Sequence, residues 1–167
     1  MTIITTTVTH TAARLDSVAR AATALMWVAA AVLWVLSGGA LLNDQQGAGL
    51  ILVGSAVLIA GLCFYYRRRQ PLGYRIAPDA LVVVERGGER RIDGAVGNPR
   101  DVGLSLRIYG SGGLYGYLGR FRLADHQGTA RAFVTDRRRV TVVGVGSGAV
   151  AVSPADRAAF MEEAQYA

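Results

Sequence analysis

Lysine is missing from this chain: all 18 of its basic residues are arginine, set against 12 acids for a net charge of +6. So uniform a preference reads as compositional bias in the coding genome, and a single arginine is then weak evidence that a planar guanidinium was required. Where the charges lie still counts, because placement biases topology and affinity for anionic lipid. Cysteine is nearly missing too. Cys63, the only one, excludes a disulfide framework and a thiolate metal site. Histidine occurs only as His10 and His126, too far apart to suggest a metal cluster. No cofactor is expected. The largest absence is of charge itself, over residues 21–42 and again over 47–66.

Those two uncharged stretches predict a transmembrane helical hairpin. At about 1.5 Å per residue, either one covers a hydrocarbon core of roughly 30 Å. Asn43-Asp44-Gln45-Gln46 between them is short and polar, a turn outside the membrane. Tyr65-Tyr66 followed by Arg67-Arg68-Arg69 ends the second stretch with interfacial aromatics and a cationic stop. A cleaved signal peptide is the competing reading, with Gly38-Gly39-Ala40 as a small-residue site. The apolar run is longer than the 7–15 residues of an h-region, and a second span follows at once. Arg14 and Arg20 precede the hairpin and Arg67, Arg68, Arg69 and Arg75 follow it, while the turn has none. Both termini are therefore expected on the cytoplasmic side of a bacterial inner membrane, in a multi-pass protein. Ala24, Ala31 and Gly38 in one span, and Gly47, Gly54 and Gly61 in the other, recur every seven residues. They form either a helix–helix seam or a chance pattern in an Ala- and Gly-rich chain.

The rest divides into a tail (1–20), a basic linker (67–72) and a domain (73–167). Residues 1–11 suit an extended segment or a disordered tail. From residue 74 onward, short β-like runs alternate with turns: 74–76, 81–86, 89–92, 104–109, 120–123, 129–135, 138–145 and 150–152. Gly87-Gly88 is a hairpin signal, 94–101 is expected to be irregular, and 129–135 is expected to pair with 138–145. Leu104, Leu106 and Ile108 alternate with Ser105, Arg107 and Tyr109. Ser153 is expected to cap a closing helix over 154–165, with Phe160, Met161 and Ala164 packed on the sheet. About seven antiparallel strands and one helix result.

Several stretches carry a resemblance: Tyr74-Arg75-Ile76, Leu81-Val82-Val83-Val84, the glycine–aromatic run 107–119, Ala132-Phe133-Val134-Thr135-Asp136, and Val152-Ser153-Pro154. On these residues the chain resembles bacterial PH-like (pleckstrin-homology-like) domain proteins, specifically small ones with an N-terminal transmembrane hairpin. The resemblance implies a bent antiparallel sheet or partly open barrel closed by the C-terminal helix. It implies no catalytic residues. Leu118 departs from it, standing where such proteins often carry an aromatic.

Gly110, Ser111, Gly112, Gly113, Leu114, Tyr115, Gly116 and Tyr117 form the candidate interaction loop. A phosphate loop would need a helix directly after the glycines, and a strand-like pattern follows instead. Two readings remain: a hairpin connection whose glycines supply positive φ, or a surface presenting Leu114, Tyr115 and Tyr117. Arg67, Arg68 and Arg69 are candidate contacts for anionic lipid headgroups. Arg137-Arg138-Arg139 reads as a solvated hairpin tip or a second lipid-facing patch. Nucleic acid is not expected, because charge concentrates at a membrane flank. Ser111, Ser147 and Ser153 lack a base and an orienting acid in pattern, so no enzyme is expected. The function expected is a membrane-anchored cytoplasmic interaction module for a protein or peptide partner or lipid headgroups. The alternative is a non-catalytic accessory or regulatory subunit of a membrane enzyme or transporter. Homo-oligomerisation is open, and an OB-type barrel would want a helix that nothing in 75–152 supplies.

Overall fold

The computed structural model of the chain describes residues 9–43, 45–125 and 128–167. Expectations for residues 1–8, Asp44 and His126 lie outside them. The elements are β1 (Thr9–Thr11), α1 (Ser17–Leu42), α2 (Gln46–Arg68), β2 (Pro71–Ala77), β3 (Ala80–Glu85), β4 (Gly88–Asp93), β5 (Val96–Arg100), β6 (Leu104–Gly113), β7 (Gly116–Leu123), β8 (Thr129–Val134), β9 (Thr141–Val145), β10 (Gly148–Val152) and α3 (Arg157–Tyr166).

Helix α1 starts at Asp16, whose carboxylate folds back to accept the Ala19 N–H at 2.7 Å. Both α1 and α2 are long and apolar enough to cross a membrane. Their large apolar side chains point outward, Leu25, Val28, Trp34, Leu50, Ile51 and Leu58 among them. A core helix would cover that face. The two helices meet along Ala30 and Ser37 on α1 and Gly49, Ala56 and Cys63 on α2. That is the seven-residue spacing read from sequence, on a different face. Ala24 and Ala31 are exposed, and a Cβ on Gly38, Gly47, Gly54 or Gly61 would meet nothing within 4 Å. Two small-residue series share one period here, and a period alone cannot say which of them faces the neighbour.

The remainder is mainly β, in two sheets with no closed barrel, finished by α3. The first sheet runs β1-β2-β3-β4, all antiparallel, and the second runs β5-β9-β10-β8-β7-β6. Residues 96–100, expected to be irregular, form β5, which pairs with β9 across a register shift. Asn98 in that strand has a positive φ of 48°. Strands β8 and β9 do not pair. Strand β10 lies between them, antiparallel to β9 and parallel to β8. The reason is local: residues 146–148 make a tight hairpin that fixes β10 on β9, and the polar stretch after β8 crosses over instead of turning back.

Ser153 is the fastening for that crossover, not a helix cap. Its buried hydroxyl accepts the Thr135 N–H at 2.8 Å, and the Thr135 hydroxyl donates to the Ala13 carbonyl at 2.6 Å. Asp156 caps α3, accepting the Ala159 N–H at 3.1 Å. As expected, Phe160 and Ala164 are buried against the sheets. Phe160 packs edge-on against Tyr74, at 6.2 Å between ring centroids, and against His10, at 5.2 Å. The Tyr74 hydroxyl donates to the Phe133 carbonyl at 2.6 Å, joining the two sheets through their shared core.

Candidate functional site

Residues 110–117 are the end of a continuous β hairpin and not a separate loop. Strand β6 pairs with β7 up to Gly113 and Gly116, with Leu114 and Tyr115 alone at the turn. Gly110 and Gly119 face each other across the hairpin, both at positive φ, and a Cβ on either would collide with the opposing backbone. The turn is braced internally: Ser111 Oγ accepts the Leu114 N–H at 2.9 Å and is within reach of the Leu114 and Gly116 carbonyls.

This hairpin lies along the first helix. Gly113 sits close to Ala19 and Ala22. The Tyr115 N–H donates to Thr23 Oγ1 at 3.1 Å, and Trp27 Nε1 donates to the Tyr115 hydroxyl at 2.7 Å. Tyr115 itself is held at φ 55°, a conformation a bulky residue adopts only when its surroundings impose it. Leu114 and Tyr115 are half-buried by this docking. Tyr117 is 1% exposed, so it is a core residue and not part of a presented surface. Leu118, the departure from the resemblance, is buried in the core between the sheets.

Asp16 ties the same corner together. Besides capping α1, its carboxylate accepts from the Tyr117 hydroxyl at 3.3 Å and from the Arg137 N–H at 3.2 Å. Arg137 stacks over the Tyr117 ring at 5.3 Å and donates to the Leu104 carbonyl at 3.1 Å. Burial first, then the Asp16 carboxylate, push the Tyr117 phenol up to about 12, with Arg137 acting the other way. The stretch 136–139 is therefore the braced crossover between β8 and β9, not a free hairpin tip. Sequence reasoning passed over Asp16, although an acid just before a long apolar helix is an N-cap signal.

Arg67 and Arg68 occupy the last turn of α2 and Arg69 follows it. The three arginines do different things. Arg67 is exposed, Arg68 lies over the Phe64 ring at 5.9 Å, and Arg69 lies over the Tyr65 ring at 5.1 Å. Only Arg69 lines a cavity of about 500 Å³ between the end of α2 and the two sheets, within the usual range for ligand pockets. Tyr65, Tyr66 and Tyr109 stand in its wall, and Arg90, Arg120 and Arg131 reach it from β4, β7 and β8. Arg90 donates to Glu85 at 2.9 Å. Arg120 and Arg131 were not singled out from the sequence. Pairing the strands across the turn after Leu123 would have set them opposite each other.

Strand β6 closes one end of the six-stranded sheet, and no strand among the described residues pairs with its outer side. Register shifts break its pairing with β7 at Arg107. The alternation read over 104–109 therefore buries only Leu104. Leu106, Ile108 and Tyr109 are 64%, 52% and 60% exposed.

The family model for bacterial PH domains matches residues 73–167. Nothing among the curated proteins and nothing among the solved structures matches the chain.

Proposed function

The chain belongs to the bacterial PH domain family, and from that footing we propose that it is a membrane-anchored interaction module working at the inner face of the cytoplasmic membrane. The family is generally non-catalytic, which fits a binding role. Support for the anchored reading comes from both ends of the helical hairpin. Strand β1 precedes it and β2 follows it, and Thr9, His10 and Thr11 pair with Arg75, Tyr74 and Gly73. The two outer ends therefore share one side of the membrane. The arginines at those ends, and none in the connecting turn, favour the cytoplasm for that side. The β domain is further pinned to α1 through Asp16 and Tyr115, so it keeps one fixed attitude to the bilayer.

The working surface we assign is the outer edge of the β6–β7 hairpin, including Gly110 and Gly112 of the candidate loop. One observation carries this: Leu106, Ile108 and Tyr109 stand exposed on an edge strand that no other strand among the described residues pairs on its outer side. Natural proteins usually blunt or cover such edges, and an exposed apolar one marks a contact site for a protein or peptide. A photo-crosslinking residue at Ile108 of the full-length protein in native membranes should give a discrete protein adduct, and one at exposed Ser147 should not. A catalytic or transport subunit in that adduct would make this chain its accessory. Lipid adducts alone, or identical adducts from both positions, would refute the edge as a partner surface.

A further inference from the structure

The cavity at the end of α2 holds an imbalance of charge: among the described residues, four arginines line it and one carboxylate. Arg69, Arg90, Arg120 and Arg131 line it against a single carboxylate, Glu85, already engaged by Arg90. Arg120 and Arg131 are direct cross-strand partners in the β7–β8 pair. Side chains so placed start about 4.5–5.5 Å apart, and like charges there are destabilising. Among the described residues neither forms an ion pair with an acid. Arg131 instead lies over the Phe133 ring at 5.2 Å, which holds its guanidinium beside the cavity without neutralising it, while Arg90, 5.9 Å from the same ring, is paired with Glu85.

Chemistry and position together say what would fill it. Several guanidinium groups lining one cavity match the oxygens of a phosphate group, which accept several charge-assisted hydrogen bonds at once. Tyr65 and Tyr66 at the wall belong to the last turns of the second apolar helix, where interfacial aromatics mark headgroup depth. Tyr109 and Leu118 add apolar surface beside the charges. We infer that this cavity binds the phosphate of an anionic phospholipid from the leaflet in which α1 begins and α2 ends. The inference rests on the membrane-anchored reading above; it shares Tyr109 and Gly110 with the β6 edge, but its arginines come from the end of α2 and from β4, β7 and β8.

The test uses full-length protein in a neutral detergent, with thermal melting followed as a short-chain phosphatidylglycerol, a short-chain phosphatidylcholine or inorganic phosphate is added. Phosphatidylglycerol should raise the melting temperature saturably, at concentrations where phosphatidylcholine does not. Arg120→Gln/Arg131→Gln should melt no lower than the parent without lipid, since a repulsion is removed, and should bind the lipid at least about tenfold more weakly. Arg69→Gln, outside the sheet, should weaken it independently, whereas Arg67→Gln should not. Equal responses to the two lipids, or a full response from the double variant, would overturn the inference. Saturation by inorganic phosphate at the lipid's own concentrations would overturn the membrane source. Ile108→Arg should leave the lipid response intact, so failure here and failure of the partner surface are read separately.

Discussion

Trp27 Nε1 donates to the Tyr115 hydroxyl at 2.7 Å, so a side chain in the first apolar helix holds the tip of a hairpin 88 residues later in the chain. With the Tyr115 N–H on Thr23 at 3.1 Å, the turn is clasped at two points one helical turn apart. A double-mutant cycle with Trp27→Phe and Tyr115→Phe should show coupling of about 0.5–1.5 kcal/mol. Amide exchange at Gly113 and Gly116 should quicken in each single variant and little further in the double. Additive effects would mean that the two side chains merely pass each other.

Phe160 is completely buried between Tyr74 and His10. Phe160→Asp leaves an unpaired charge where there was an aromatic ring, and should cost at least about 3 kcal/mol. Denaturant unfolding of the full-length protein should show the midpoint falling, with Phe160→Leu much closer to the parent. Equal midpoints for Asp and parent would mean that α3 does not close the core.

Burial pushes the Tyr74 phenol up to about 12, partly offset by hydrogen bonding with Ser153. The folded state thus keeps this proton more tightly than the unfolded chain does. That contribution is whole below the ordinary tyrosine value near 10 and drains away as pH rises through about 12. Tyr74→Phe should be less stable than the parent at pH 7 by about 1–3 kcal/mol, because it strands the Phe133 carbonyl and the Ser153 N–H. The gap should narrow between pH 10 and pH 12, because both proteins lose the Tyr117 contribution and the parent loses that of Tyr74 as well. A constant gap would show that the phenol does not titrate with unfolding.

In a Cys63→Ala background, a cysteine at Gln45 should react with a membrane-impermeant thiol reagent on intact cells. A cysteine at exposed Ser147 should react only after the membrane is opened. The reverse pattern would place the β domain outside the cell and remove every cytoplasmic partner with it.

Much of the architecture was legible because its causes are local. Uninterrupted apolarity over 21–42 and 47–66 needs only length to give two long helices, and Gly146-Ser147-Gly148 turns β9 into β10 by its own geometry. What escaped depended on distant residues. Nothing near Ser153 shows that its hydroxyl will meet Thr135 and so act as a crossover clasp instead of a cap. Tyr115 and Tyr117 look alike in sequence. Docking on α1 half-buries the first, and strand alternation buries the second against Asp16. The cavity was hidden for another reason: in a chain whose every cation is arginine, Arg120 and Arg131 stand out only once β7 is laid beside β8.

The interior position of β10 also sets an order of events at the ribosome. Among the described residues it is the last strand to emerge, yet it lies in the middle of the six-stranded sheet, against β8 on one side and β9 on the other. Until residues 148–152 appear, β8 shows a bare edge, and β9 can carry β5 but has nothing to join it to the rest. Both apolar helices are finished long before that point. On the membrane-anchored reading proposed above, the nascent domain waits half-built beside the bilayer, and a message cut short near residue 145 would yield a chain in which β8 and β9 each keep an open edge. Such a product should be a preferred target for membrane-associated proteolysis, and the intact chain should escape it as soon as its final strand slides home.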